Sequence, residues 1–112
     1  MATLNLYNRL TADINIITNT DVDNWLLEDN LNKIDVDIVV LNEKSFEIGD
    51  YAFDGFISLN DVWYSGNITK IGNFAFRNCK LRSYIPLNNC TFIGQNAFEN
   101  NTFSQMDFRQ IT

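Results

Sequence analysis

Two short patterns of apolar positions alternate along most of the chain. One of them, Ile-Gly-x-x-Ala-Phe, occurs at residues 48–53, 71–76 and 93–98, so it recurs every 22 or 23 residues. Four identical residues in three copies at one spacing are not expected by chance. The chain is therefore built from an internal repeat, and the repeat predicts the fold.

The second pattern begins twelve residues before each Ile-Gly copy and reads apolar-x-x-apolar-x-apolar. Its last two apolar positions are two residues apart, which is typical of a strand with one buried face. The positions are Val36, Val39 and Leu41; Leu59, Val62 and Tyr64; Leu81, Tyr84 and Pro86; and, after the last Ile-Gly copy, Phe103, Met106 and Phe108. Because one repeat cannot bury its own apolar face, we expect successive repeats to stack with like residues in columns.

The N-terminal part of the chain fits the repeat less well. One period before Val36, Ile14 and Ile17 fit the strand pattern and Asn19 holds its third position, which indicates a degenerate first copy. The segment 21–33 predicts a short helix that shields the first repeat from water.

Particular side chains in both elements have expected roles. In the helix, Asp21 or Asp23 is a candidate N-cap, and Trp25, Leu26 and Leu31 are expected to face inward. In Ile-Gly-x-x-Ala-Phe, the Ile and Phe are expected to point inward and the Ala to allow close approach of the next repeat. The Gly is expected to allow an unusual backbone angle.

Taken together, the two patterns resemble the BspA-like leucine-rich repeat, in which Ile-Gly-x-x-Ala-Phe, a small or Cys position and Leu-x-x-Val-x-Ile-Pro follow one another. The resemblance covers residues 36–108 well and residues 14–35 poorly. Cys79 falls on the frequent Cys position of the family, which Phe56 and Asn101 occupy in the neighbouring copies.

This resemblance implies a repeat solenoid that is mainly β with short turns or helical segments. About four leucine-rich-repeat-like coils would stack, with an N-terminal cap at residues 1–35 and the repeats at residues 36–112. The chain departs from the family in that only Pro86 keeps the proline that usually ends the strand. The family is associated with protein binding and surface adhesion, so the resemblance also implies a protein partner.

Charge and composition argue against several classes of function. The chain has 8 Lys and Arg against 14 Asp and Glu, a formal net charge of −6, and its basic residues are spread singly. Nucleic-acid binders carry a basic stripe, and acidic surfaces do not favour anionic membranes. We therefore expect no nucleic-acid partner and no membrane insertion.

Catalytic apparatus is equally missing from the sequence. The chain has no His, which removes the usual general base. Cys79 and Cys90 have no imidazole to activate them and are too few for a disulfide framework or a zinc site, so free thiols are expected. We predict that the protein is not an enzyme and holds no metal or cofactor.

The sequence contains no apolar run long enough to cross a membrane, and its start lacks the pattern of a signal peptide. We expect the protein to act where it is made, or to leave by another route, for example inside a virus particle. It could also be part of a longer secreted chain. The family resemblance allows the cell surface or a virion; otherwise the cytoplasm is expected.

The strand pattern predicts a candidate binding surface. If its apolar positions face inward, the residue between the last two faces outward, and in successive copies this residue is Val40, Trp63 and Ile85. Asp61 and Arg82 lie among the polar residues beside this column. An apolar stripe with a polar border is typical of a binding surface, with Trp63 as its anchor. Alternatively, these residues merely suit strands, or the register is shifted by one.

The C-terminal end predicts a second candidate surface. The chain stops four residues after Phe108 without a polar cap, although solenoids usually have one at each end. Phe103, Met106, Phe108 and Ile111 are therefore candidate assembly residues. They could equally fold over the end of the stack, or the repeats could continue in a longer array.

Two functions fit these observations. The first is a non-enzymatic interaction or adhesion module that binds a protein through the exposed strand face. The alternative is a small structural subunit of a larger assembly, such as a virus particle, docked by its uncapped end or as a homo-oligomer.

Overall fold

The computed structural model describes residues 1–63, 68–81 and 89–101, and these residues form two parallel sheets and one α-helix. Sheet A contains β1 (Ala2–Asn5), β3 (Val36–Val40) and β5 (Asp61–Trp63), in the order β1-β3-β5. Sheet B contains β2 (Ile16–Ile17), β4 (Phe46–Ile48), β6 (Ile68–Ile71) and β7 (Phe92–Ile93), in the order β2-β4-β6-β7. The helix α1 spans Asn19–Glu28, and a one-turn 3-10 helix spans Lys33–Asp35.

From β3 onward, strands pair so that residues one sequence period apart lie opposite each other. Within sheet A, β3 and β5 pair in parallel with Val39 opposite Val62. Within sheet B, Ile71 lies opposite Ile48 on one side and Ile93 on the other. The predicted stacking of like residues is therefore confirmed in the described repeats. A solenoid of about four coils, with a cap at residues 1–35, stays a prediction.

The inward positions of the Ile-Gly-x-x-Ala-Phe segments form the centre of the core. In the first two copies the Ile, Ala and Phe side chains are all buried, as predicted. The phenyl rings stack in a column, with 5.3 Å between the centroids of Phe53 and Phe76 and 5.6 Å between those of Phe76 and Phe98. Each repeat thus contributes one ring that contacts the rings before and after it.

The first repeat differs from the prediction. Leu4 of β1 lies opposite Val39, so β1 is the strand that precedes β3 in sheet A. Ile17 lies opposite Ile48 and therefore belongs to sheet B. The prediction that the first copy of the strand pattern begins at Ile14 is wrong. The inserted helix α1 makes the first repeat longer than the others, so one period back from β3 falls on the other sheet.

The helix begins earlier than the sequence suggested. Thr18 is its N-cap: the Thr18 hydroxyl accepts the backbone N–H of Asp21 at 3.1 Å, and the Asp21 carboxylate accepts that of Thr18 at 3.5 Å. This reciprocal pair is a capping box. The prediction that Asp21 or Asp23 is the N-cap is wrong, because Asp21 is already the third residue of the helix.

The inner face of α1 and a clamp at its C-terminal end fix the helix to the first repeat. Trp25 and Leu26 are buried and Leu31 packs against the core, as predicted. Arg9, in the loop after β1, donates two hydrogen bonds to Asp29, at 2.9 Å and 2.6 Å. These hydrogen bonds hold the pKa of Asp29 below its usual value.

The glycine of each Ile-Gly pair has a different role from the one predicted. A Cβ on Gly72 would lie 2.6 Å from the backbone nitrogen of Asp50, so glycine is needed because adjacent repeats approach too closely for a side chain. Positive φ angles occur two residues later, at Tyr51 (59°), Phe74 (58°) and Asn96 (54°). The expectation that these glycines supply the unusual backbone angle is therefore wrong.

Candidate functional site

The outer surface of sheet A carries the predicted apolar column. Val40 lies opposite Trp63, and both point away from the buried side chains of Val39 and Val62. Asn5 of β1 extends the column on the other side of Val40. Trp63 is 54% exposed, a large fraction for the biggest apolar side chain. The predicted register of Val40 and Trp63 is confirmed, and their role in binding stays a prediction.

A second column lies beside the first. Ile38 is flanked by Thr3 of β1 and by Asp61 of β5. The indole N–H of Trp63 donates to the Asp61 carboxylate at 2.9 Å, which joins the two columns. We use the name sheet A outer face for the six residues of these columns: Thr3, Asn5, Ile38, Val40, Asp61 and Trp63.

Several predicted site residues lie outside the described residues. Ile85 and Arg82, predicted to continue the binding face, fall in residues 82–88. The candidate assembly residues Phe103, Met106, Phe108 and Ile111 fall in residues 102–112. Their roles in binding and in assembly stay predictions.

A groove of about 490 Å³ on sheet B was not anticipated from the sequence. Each strand contributes one side chain to its floor, and these are paired side by side in the order Ile16, Glu47, Lys70 and Phe92. We call this surface the sheet B groove. The sequence contained one indication of this groove: the residue before each Ile-Gly pair faces outward, because the Ile faces inward. Strands of two to four residues are too short for their periodicity to show this.

In a third surface cluster, the side chains make their ring contacts and their ion pair with one another. The rings of Tyr51 and Phe74 stack with centroids 5.0 Å apart, and the Arg77 guanidinium lies 4.5 Å from the Phe74 centroid. The same guanidinium donates to both carboxylate oxygens of Asp54, at 3.0 Å and 2.8 Å, and this raises the pKa of Arg77. Arg77 and Asp54 belong to neighbouring repeats, so their ion pair links those repeats.

Both thiols are free, as predicted, and both are buried. The Cys79 thiol donates to the carbonyl oxygen of Phe53 at 3.2 Å, and burial raises the pKa of Cys79 to about 12. Asn101 holds the same place in the next repeat and donates to the corresponding carbonyl of Phe76 at 2.7 Å. This position therefore links adjacent repeats, and its thiol is a poor nucleophile.

We expect Cys79 to resist alkylation in the folded protein. Raising its pKa from 9.0 to about 12 leaves about a thousandfold less thiolate near neutral pH, and burial limits access further. Iodoacetamide labelling of a Cys90→Ser variant at pH 8, followed by mass spectrometry, measures this. The same variant in denaturant is the control and should label rapidly. Equal labelling rates in the two states would contradict the buried position of Cys79.

Residues 1–63, 68–81 and 89–101 contain no group of three or more Cys, Asp or Glu side chains that could hold a metal ion. The helix in this part of the chain is too short and too polar to cross a membrane.

Comparison with known proteins agrees with the repeat pattern. A family model described as the BspA type leucine-rich repeat region matches residues 26–111, in six copies. This match begins within α1 and covers most of the chain. No curated protein and no solved structure gives a match.

Proposed function

The chain belongs to the BspA-type leucine-rich repeat family, and from this premise we propose that it is a protein-binding module whose contact surface is the sheet A outer face. Leucine-rich repeats generally mediate protein–protein interaction and are typically non-enzymatic. The family therefore supports the class of function, while the choice of surface depends on the exposed residues of this chain.

The observation that carries the proposal is the position of Trp63. Its side chain is largely exposed although tryptophan is costly to leave in water, and it stands on a regular sheet next to Val40. Tryptophan is enriched among the residues that dominate binding energy, usually within an apolar patch with a polar border. Ile38 and Val40 supply that patch, and Thr3 and Asn5 its border.

The sheet B groove is the competing surface. It also exposes two large apolar side chains, Ile16 and Phe92, but Glu47 and Lys70 stand between them. Its apolar area is therefore divided, whereas that of the sheet A outer face is continuous. A continuous apolar centre excludes water more completely, so we favour the sheet A outer face.

A peptide-display selection against the immobilised chain tests the proposal. Peptides selected by the wild-type chain should bind Trp63→Ala about 30-fold more weakly or worse, which corresponds to about 2 kcal/mol for a central interface residue. The matched control is Phe92→Ala, which removes an equally exposed aromatic residue from the sheet B groove and should change the affinity less than about twofold.

Both variants must keep the wild-type circular dichroism spectrum for the comparison to count. Undiminished binding to Trp63→Ala, a loss on Phe92→Ala instead, or no peptide specific for the folded chain would each contradict the proposal.

A further inference from the structure

Asp61 and Trp63 form a fixed acidic and aromatic pair on the sheet A outer face. They are two residues apart on β5, so their side chains leave the same side of the sheet. The indole N–H donates to one carboxylate oxygen, Oδ2 of Asp61, at 2.9 Å. A carboxylate has further acceptor positions, and most of the indole is exposed, so both groups retain capacity to bind a ligand.

Among the described residues, the three strands of sheet A that carry this pair contain no cation. Asp61 is the one charged residue among the six of the sheet A outer face; Asp37 lies on β3 but is not one of the six. Lys33, just before β3, has its Nζ 3.9 Å from Asp23, and the next cation along the chain, Lys44, donates to the carbonyl oxygens of Thr11 and Ile14. No ion pair among the described residues uses Asp61. The described part of this face therefore presents negative charge beside apolar side chains.

These two features together select a cation over other ligands. A carboxylate attracts an ammonium or guanidinium group, and the face of an indole ring attracts the same groups through its quadrupole. The net charge of −6 also steers basic partners towards the chain. An acidic segment would be repelled, and a purely apolar one would cover the Asp61 carboxylate without a cation to balance its charge.

We propose that the partner is a protein segment that places a lysine or arginine on the Asp61 and Trp63 pair and an adjacent apolar side chain on Ile38 and Val40. This inference rests on the proposed function, since it names the partner chemistry of the same face. The cation site would make the face specific for basic segments, and the apolar patch would supply most of the buried contact area.

Two synthetic peptides that differ only in charge test the inference. One contains Leu-Arg pairs, and the other has Gln in place of every Arg; each carries a fluorescent label, and binding is read by anisotropy. The wild-type chain should bind the Arg peptide at least about tenfold more tightly than the Gln peptide. Asp61→Asn should reduce that preference by weakening the Arg peptide about tenfold and leaving the Gln peptide unchanged.

A matched control separates the site from the general effect of an acidic protein. Glu47→Gln removes the same charge from the sheet B groove and should leave both affinities within about twofold of the wild-type values. Equal binding of the two peptides, or an equal loss of Arg-peptide affinity in Glu47→Gln and Asp61→Asn, would overturn the cation site. Failure of the proposed function has a different signature, because Trp63→Ala would then still bind the display-selected peptides.

Discussion

Replacing Phe76 with alanine is expected to lower the free energy of unfolding by about 3–5 kcal/mol, the range for a large aromatic residue in a core. Its ring is fully buried and lies between Phe53 and Phe98, nearly parallel to both, with interplanar angles of 10° and 4°. Alanine would leave a cavity in the middle of this column. Because repeats are stabilised by their neighbours, the contacts on both sides would be lost together.

Urea denaturation followed by circular dichroism measures this effect, with Phe92→Ala as the matched control. That variant makes the same chemical change at an exposed ring and should cost only about 0.5 kcal/mol. A small domain has about 5–15 kcal/mol of stability in total, so Phe76→Ala could leave too little folded protein to measure. Phe76→Leu, which keeps most of the volume, then provides a measurable loss of about 1–2 kcal/mol. Equal losses at positions 76 and 92 would contradict the stacked column.

Gly72→Ala is expected to have the second largest effect, a loss of about 2–3 kcal/mol. The added Cβ would lie 2.6 Å from both the backbone nitrogen and Oδ1 of Asp50, and 2.7 Å from the carbonyl carbon of Gly49. Backbone atoms cannot move aside as the end of a side chain can, so the two repeats would have to separate. The same urea titration measures the loss.

Gly55 provides a control in which the reason for glycine is different. A Cβ there meets no atom within 4 Å, but its φ is +83°. Gly55→Ala should therefore cost about 1–2 kcal/mol through backbone strain alone. Gly55→Asn should cost less, because Asn78 and Asn100 hold the corresponding place in the next repeats with φ of 59° and 58°. A neutral Gly72→Ala, or an Asn at position 55 worse than Ala, would contradict these roles.

The sequence predicts those parts of the fold in which the same residue types recur at the same spacing in every repeat. Ile48, Ile71 and Ile93 recur with the period of the sheets, so their pairing follows from spacing alone. The outward column of Val40 and Trp63 follows from the same period and from alternation along a strand.

The first repeat was mispredicted because α1 changes its length, and a fixed period cannot reveal an insertion. A usable signal was nevertheless present. Leu4 and Leu6 are two residues apart and fully buried, like the last two positions of the strand pattern. If one repeat is allowed a different length, Leu4 and Leu6 fit the last two positions of the strand pattern in place of Ile14 and Ile17.

The role of the Ile-Gly glycines and the sheet B groove depend on distances between segments that are far apart in the sequence. The approach of Gly72 to Asp50 is set by how closely two repeats pack, which no single segment encodes. Likewise, Glu47 and Lys70 become neighbours only when β4 and β6 pair. Contacts between distant segments are visible only in the three-dimensional structure, whereas a column of outward residues follows from the repeat period of the sequence.

The central claim is that the sheet A outer face is the contact surface, and amide chemical-shift mapping by NMR tests it most directly. The isotope-labelled chain is titrated with a peptide selected by display against the wild type. We predict that the largest shifts occur at the amides of Ile38, Val40, Asp61 and Trp63, with little change at Lys70 and Phe92. Shifts that centre on the sheet B groove and leave β3 and β5 unperturbed would contradict the claim.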